Sequence, residues 1–343
     1  MRRLLLVNLA ECPENLHFER ALARAAARRP GLALDVLHDF DYHYDFIGAP
    51  PLPRGRRLRC AGLESVKKML TGYDAIALLD FPKRARCATA FLWLARQAPA
   101  MAKFFIANHL IPMPGQNLAA DLARKWKALA GLKAGWALEA DDRELWRETG
   151  LAGARLRLRG YATDCAYYKP SGAEPGGYVF SAGSAGRDYA ALAAGAKRAG
   201  FGIKIFTDSK PGRLPAGAEV LPLAKNLHNL REAAERARAV VIPVKSSHMN
   251  ESAGNSIAFL AMALGRPVLL KRTPYWERFI EDGRNGFLCS ELTPAALAKG
   301  LRRVAALSPA AASKLGAAAR RSVLLKANLD RFCAEFLRRV LGK

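Results

Sequence analysis

A chain of 343 residues, 51% of them hydrophobic, is long enough to bury two cores rather than one. No apolar run of about eighteen residues escapes charge or proline, so no transmembrane helix is expected. Its six cysteines, spaced without a Cys-x-x-Cys pair, argue against a disulfide framework or a zinc site and fit a reducing cytoplasm, while the net charge of +24 asks for an anionic environment or partner.

In chain order, Met1 to Val7 imitates a secretory signal, but its apolar part is short and Glu11, Pro13 and Glu14 follow in place of a small-residue cleavage site. We read it as a first buried strand. β-rich runs then recur at the spacing of βαβ units: Leu4 to Val7, Leu32 to Leu37, Ala75 to Leu79 and Phe104 to Ala107, with helical segments such as Phe18 to Arg28 between. That pattern is one doubly wound domain. After the second run, His38, Asp39, Asp41, His43 and Asp45 offer metal-ligand types, but aromatic spacers and the position behind a strand favour a polar loop, which could equally line an acceptor groove. No metal or other cofactor is expected.

Basic clusters lie at Arg54 to Arg59, Lys83 to Arg86, Arg124 to Lys127 and Arg155 to Arg159, and they could face anionic lipid or polyanionic acceptor sugars. The alternative is a solvated arginine-rich surface. Nucleic acid is not the expected partner, because no zinc finger, RNA-binding aromatic motif or helix-turn-helix accompanies the charge. Proline and glycine crowd residues 160–177, which marks a linker, and a second series of strands follows at Tyr178 to Ser181, Gly202 to Phe206, Glu219 to Leu221, Ala239 to Val244 and Val268 to Leu270. The expected fold class is therefore α/β, with two Rossmann-like doubly wound domains facing a central cleft. The first covers 1–165, the second 166–325. Residues 326–343 form an arginine-rich amphipathic helix that could pack back on the first domain or lie on a membrane surface.

The densest chemistry lies between Ile242 and Cys289. Ser256 stands where an N-cap belongs, and Ile257, Leu260, Ala261 and Leu264 mark one face of a helix behind it. Unpaired backbone N–H groups at such a helix start, with the positive end of its dipole, make an anion site. An ordinary buried βαβ unit would carry the same apolar pattern with no ligand.

The second half resembles the nucleotide-sugar-dependent glycosyltransferases of the two-Rossmann (GT-B) type, family 4 in particular. The matching pieces are Gly160 to Asp164, Tyr178 to Gly183, Gly186 to Tyr189, Ala239 to Pro243, and Glu251 through Gly286, including Ala261-Met262-Ala263 and Gly283-Arg284-Asn285-Gly286. The resemblance implies that the second domain binds a nucleotide-diphosphate sugar donor and the first a glycan or lipid-linked acceptor. Donor-binding residues would be Gly183, Arg187, Lys245, Gly254, Asn255 and Ser256, with Arg187 and Lys245 offsetting charge on the departing diphosphate. Glu251 resembles the first acid of the family's two-glutamate motif, and His109 stands where relatives place a histidine near the donor sugar. A retaining, front-face transfer without a dedicated protein base is implied, hence no Ser-His-Asp triad.

The chain departs from this pattern at three places. Leu260 occupies the position of the ribose-binding second glutamate, the glycine pair after the first strand is replaced by Asn8 to Asn15, and Ser184 stands where many relatives carry arginine. Altered nucleotide preference or lost catalysis would follow. The expected activity is sugar transfer in bacterial cell-surface polysaccharide or glycolipid synthesis, in the cytoplasm and peripheral to the inner membrane. The competing readings are a catalytically silent relative that binds nucleotide or anionic glycan, and a sugar-nucleotide isomerase on the same fold.

Overall fold

All pairings between the named strands are parallel, as runs of apolar residues without alternation require, since a parallel sheet is covered on both faces. The computed structural model describes residues 1–10, 12, 14–38, 57–60, 62–70, 72–82, 85–96, 102–107, 134–137, 156–158, 161–184, 186–223, 227–245 and 253–340. The chain divides into two units: one runs as far as Tyr161 and takes up Leu329–Lys343, and the other contains Ala162–Asn328.

In the first unit, β1 (Arg2–Asn8), β2 (Leu32–His38), β3 (Arg57–Arg59), β4 (Ala75–Leu79), β5 (Ala102–Ala107), β6 (Ala134–Ala137) and β7 (Leu156–Leu158) form one sheet in the order β3-β2-β1-β4-β5-β6-β7. The second unit repeats the plan with β8 (Tyr178–Ala182), β9 (Gly202–Phe206), β10 (Glu219–Leu221), β11 (Ala239–Val241), β12 (Val268–Lys271) and β13 (Phe287–Cys289), ordered β10-β9-β8-β11-β12-β13. Each sheet reverses its winding once, between β1 and β4 and between β8 and β11. Such switch points, at the carboxyl ends of the strands, are where open α/β sheets take ligands.

Ten helices are present among the described residues. In the first unit these are α1 (Asn15–Ala27), α2 (Leu63–Met69) and α3 (Ala85–Arg96). In the second they are α4 (Tyr189–Arg198), α5 (Leu227–Glu235), α6 (Asn255–Ala263), α7 (Pro274–Glu277), α8 (Pro294–Ala305) and α9 (Pro309–Lys326), and α10 (Leu329–Val340) follows. Val179, Ile203, Ile205, Val241 and Leu269 of the second sheet are buried under Leu192 of α4 and Leu297 and Leu301 of α8. Helix α6 buries every residue except Ser256, so it is an interior helix with no solvent face.

Three sequence expectations need amendment. The stretch read as a linker is ordered at its start: Tyr161, Thr163, Asp164, Cys165, Tyr167 and Tyr168 are buried, and Asp164 Oδ1 accepts from the amides of Ala166 and Tyr167. Arg320 of α9 donates to the carbonyls of Tyr168 (2.8 Å), Cys165 (3.2 Å) and Ala263, binding that segment to the end of α6. Two basic clusters, Arg54 to Arg59 and Arg155 to Arg159, contain β3 and β7. Finally, of the two placements open to the terminal helix, the structure has its apolar face packed within the first unit. Phe332 meets Phe18 edge to face at 6.0 Å, Phe336 meets Phe104 at 5.8 Å, and Arg24 pairs with Asp330 at 2.8 Å.

Helix α9 approaches α6 so closely that a Cβ on Gly316 would strike the backbone carbonyl of Gly265. Backbone cannot step aside as a side chain can. Gly316→Ala is therefore expected to lower stability by about 1–3 kcal/mol, the usual cost of overpacking, in urea unfolding of the second unit. A neutral effect would show that the two helices are free to part.

Candidate functional site

Loops leaving β8 and β11 meet at the switch point of the second sheet. Arg187 and Val244 form an antiparallel bridge, the amide of Asp188 donates to the Pro243 carbonyl (2.7 Å), and that of Lys245 donates to the Gly186 carbonyl (2.8 Å). Asp188 then caps α4, its Oδ1 accepting from the Ala191 amide at 2.9 Å, so the start of that helix already has its carboxylate.

Helix α6 starts differently. Its N-cap is Gly254 at φ 85°, with no side-chain cap, and the amides of Asn255, Ser256 and Ile257 have no acceptor among the described residues. The expected cap at Ser256 is thus corrected: the helix begins one residue before it, and Ser256 lies in the first turn. Close approach decides this, because a Cβ at Gly254 would strike the Ile242 side chain, and a left-handed φ disfavours any residue with a Cβ. Asn255, only 3% exposed, makes no side-chain hydrogen bond with a described residue.

Arg187 fills the space that two glycines leave. A Cβ on Gly183, which has φ 126°, would come within 2.9 Å of the guanidinium, and one on Gly254 within 3.5 Å. Nε of Arg187 also points back to the Ala182 carbonyl at 3.4 Å. Burial lowers the pKa of Arg187, partly countered by Tyr189. A cation so placed gains when an anion arrives.

Of the residues expected to bind a donor, Gly183, Arg187, Gly254, Asn255 and Ser256 thus come together at one strand edge. Lys245 joins them through its backbone, while its side chain is exposed. Glu251 and His109 lie outside the described residues, as do Asp39, Asp41, His43 and Asp45. Leu260 is buried in α6. No group of three metal-ligating side chains occurs among the described residues. Sequence reading overlooked Tyr189 and Ile242. Asp188 followed by Tyr189, Leu192, Ala193 and Ala196 at helical spacing would have revealed the start of α4 and hence the loop that Tyr189 closes.

No family model matches the chain, and no curated protein is similar to it in sequence. Solved structures are similar over its whole length. Sucrose-phosphate synthase from Thermosynechococcus elongatus is 16% identical with a TM-score of 0.67, all of both chains being covered. HepE of Anabaena, in complex with UDP and glucose, is 12% identical with a TM-score of 0.70, again covering 100% of each chain. The fold is GT-B. A glycosyltransferase from Rickettsia africae is likewise similar at 12% identity and a TM-score of 0.69, covering 100% of this chain and 99% of its own. This GT-B chain thus has the two Rossmann-like domains that its strand orders display.

If close approach is what demands Gly254, then Gly254→Ala should cost about 1–3 kcal/mol in denaturant unfolding. In an Ile242→Ala background, itself destabilised by truncation of a core residue, the same Gly254→Ala change should cost less but not nothing, because the left-handed backbone remains. No cost at all in that background would mean that the backbone conformation carries none.

Proposed function

We propose that this protein is a glycosyltransferase that moves a sugar from a nucleotide-diphosphate donor, with the diphosphate held at the carboxyl ends of β8 and β11. The observation that carries this reading is the half-buried Arg187, set against Gly183 and Gly254 beside the uncapped start of α6. When the bond between sugar and phosphate breaks, negative charge gathers on the leaving diphosphate, and donors already aimed at it lower the barrier without reorganising. Arg187 would supply the charge and a forked pair of N–H groups, the amides of Asn255, Ser256 and Ile257 would supply directional hydrogen bonds, and Lys245 would reach in from solvent. The capped start of α4 leaves α6 as the helix that receives the anion. UDP and glucose in HepE support a sugar nucleotide as the donor class.

We extend the proposal to a retaining transfer in which Glu251 and His109 contact the donor sugar, and to a glycan or lipid-linked acceptor on the first unit. The work would be done in the cytoplasm at an anionic inner-membrane surface, in polysaccharide or glycolipid synthesis. The net charge of +24 supports the membrane contact. Co-sedimentation with anionic vesicles should then fall steeply as salt rises and the Debye length shrinks to about 8 Å at physiological ionic strength. Binding that ignores salt would remove the membrane from the proposal.

One observation favours a second reading, a silent relative that binds nucleotide without transfer. Leu260 is buried where the resemblance asks for a ribose-binding glutamate, and an apolar side chain accepts no hydrogen bond. Hydrolysis of a donor panel followed by mass spectrometry separates the two readings. For the site itself, one of UDP, GDP or ADP should raise the melting temperature at micromolar concentration. Arg187→Ala should weaken that nucleotide about 10- to 100-fold, the cost of losing a charged hydrogen-bond partner, with Lys245→Ala weaker in effect because the side chain is exposed. Unchanged affinity in both variants would dispose of the phosphate clamp.

A further inference from the structure

Gly183, at φ 126°, is held on both sides: its amide donates to the Phe206 carbonyl at 3.0 Å, and its carbonyl accepts from a side chain of the following helix. The hydroxyl of Tyr189, the first residue of α4, donates to the Gly183 carbonyl across the loop. Tyr189 is 2% exposed, and its ring packs in the apolar core beneath β8 and β9, among Val179, Leu192 and Ile205. Its hydroxyl is therefore a polar tip on a fixed ring, next to the Thr207 and Ser181 hydroxyls. The same loop is tied to the segment after β9 through Ser184, whose Oγ accepts from the Asp208 amide at 2.9 Å and from the Thr207 hydroxyl at 3.5 Å. Burial raises the pKa of Tyr189 above the ordinary phenol value, with Arg187 opposing, so the hydroxyl stays protonated and able to donate near neutral pH.

Resting on the donor site proposed above, we propose that Tyr189 is a positioning residue for Arg187: its hydroxyl holds the Gly183 carbonyl, and the turned Gly183 peptide leaves the guanidinium its place beside the start of α6. Tyr189 does not touch the donor. It acts through the Gly183 carbonyl: the amide of Gly183 keeps its bond to the Phe206 carbonyl, but without the hydroxyl the following peptide loses its fixed orientation and Arg187 its fixed place at the helix start. Phenylalanine keeps the ring in the core and removes the hydroxyl, with its bond to Gly183 and its contacts to the Thr207 and Ser181 hydroxyls, so the double-mutant comparison with Arg187 isolates the positioning effect.

The test is a double-mutant cycle read by calorimetric titration with whichever of UDP, GDP or ADP binds the full-length protein. Tyr189→Phe should weaken that nucleotide about five- to tenfold, near the upper range for one hydrogen bond, while the melting temperature of the free protein changes little. In the Arg187→Ala background the same change should have almost no effect, since there is no guanidinium left to place. A Tyr189→Phe protein that binds as tightly as the parent, or one that loses the same factor with and without Arg187, overturns the proposal while leaving the donor site intact. A parent protein that binds none of the three nucleotides removes the donor site itself and this inference with it. Arg187→Ala distinguishes that case, since it cannot weaken binding that does not exist.

Discussion

One half-buried cation organises the loops after β8 and β11. Arg187 sits in low-dielectric surroundings where its charge is disfavoured, and the polypeptide accommodates it with two residues that lack side chains, Gly183 and Gly254. Neither glycine is there for flexibility, since both stand with positive φ and both would collide with a neighbour if they carried a methyl. The bridge from Arg187 to Val244 and the bond from the Asp188 amide to the Pro243 carbonyl then fix the two loops to each other, so the backbone from which the guanidinium springs is held in place. Such a site is organised before any ligand arrives.

The scaffold behind this arrangement is stiff for reasons visible in the core. Helix α6 is apolar on all sides and is closed at its far end by Arg320, whose guanidinium ties the Ala263 carbonyl to those of Cys165 and Tyr168. The contact between Gly316 and Gly265 sets the spacing of α9 from α6. A helix clamped at its carboxyl end and packed on all sides presents its first-turn amides in one orientation. In the reading proposed above, hydrogen bonds to those amides would select a ligand by shape as well as by charge.

Much of the fold was legible because parallel strands are written as short apolar runs: Ala75–Leu79, Gly202–Phe206 and Glu219–Leu221 have the bounds that the sequence indicates. What was not legible had a physical cause. In Leu156–Leu158 the apolar residues alternate with arginine, and the basic composition concealed an edge strand. Ser256 looked like a cap because its side chain suits one, but the close pass of Ile242 gave that position to a glycine two residues earlier. Residues 161–168 looked like part of a linker because proline and glycine follow, although Tyr161, Tyr167 and Tyr168 already hinted at burial. In the site, Arg187 could be picked out by its place after a strand. Tyr189 could not, since its role depends on a carbonyl six residues back that meets it only once the loop has closed.

The terminal helix has a consequence for how the chain matures. Helix α10 is translated after the whole of the second unit, yet its Phe332 and Phe336 complete the apolar core against Phe18 and Phe104. Domains generally condense as units while synthesis proceeds, amino-terminal part first. Here that order is inverted, because the second unit can close on the ribosome while the earlier one waits for a piece still to be made. Until α10 emerges, the faces of α1 and β5 that it covers are open to chaperones, a period of exposure built into the connectivity itself.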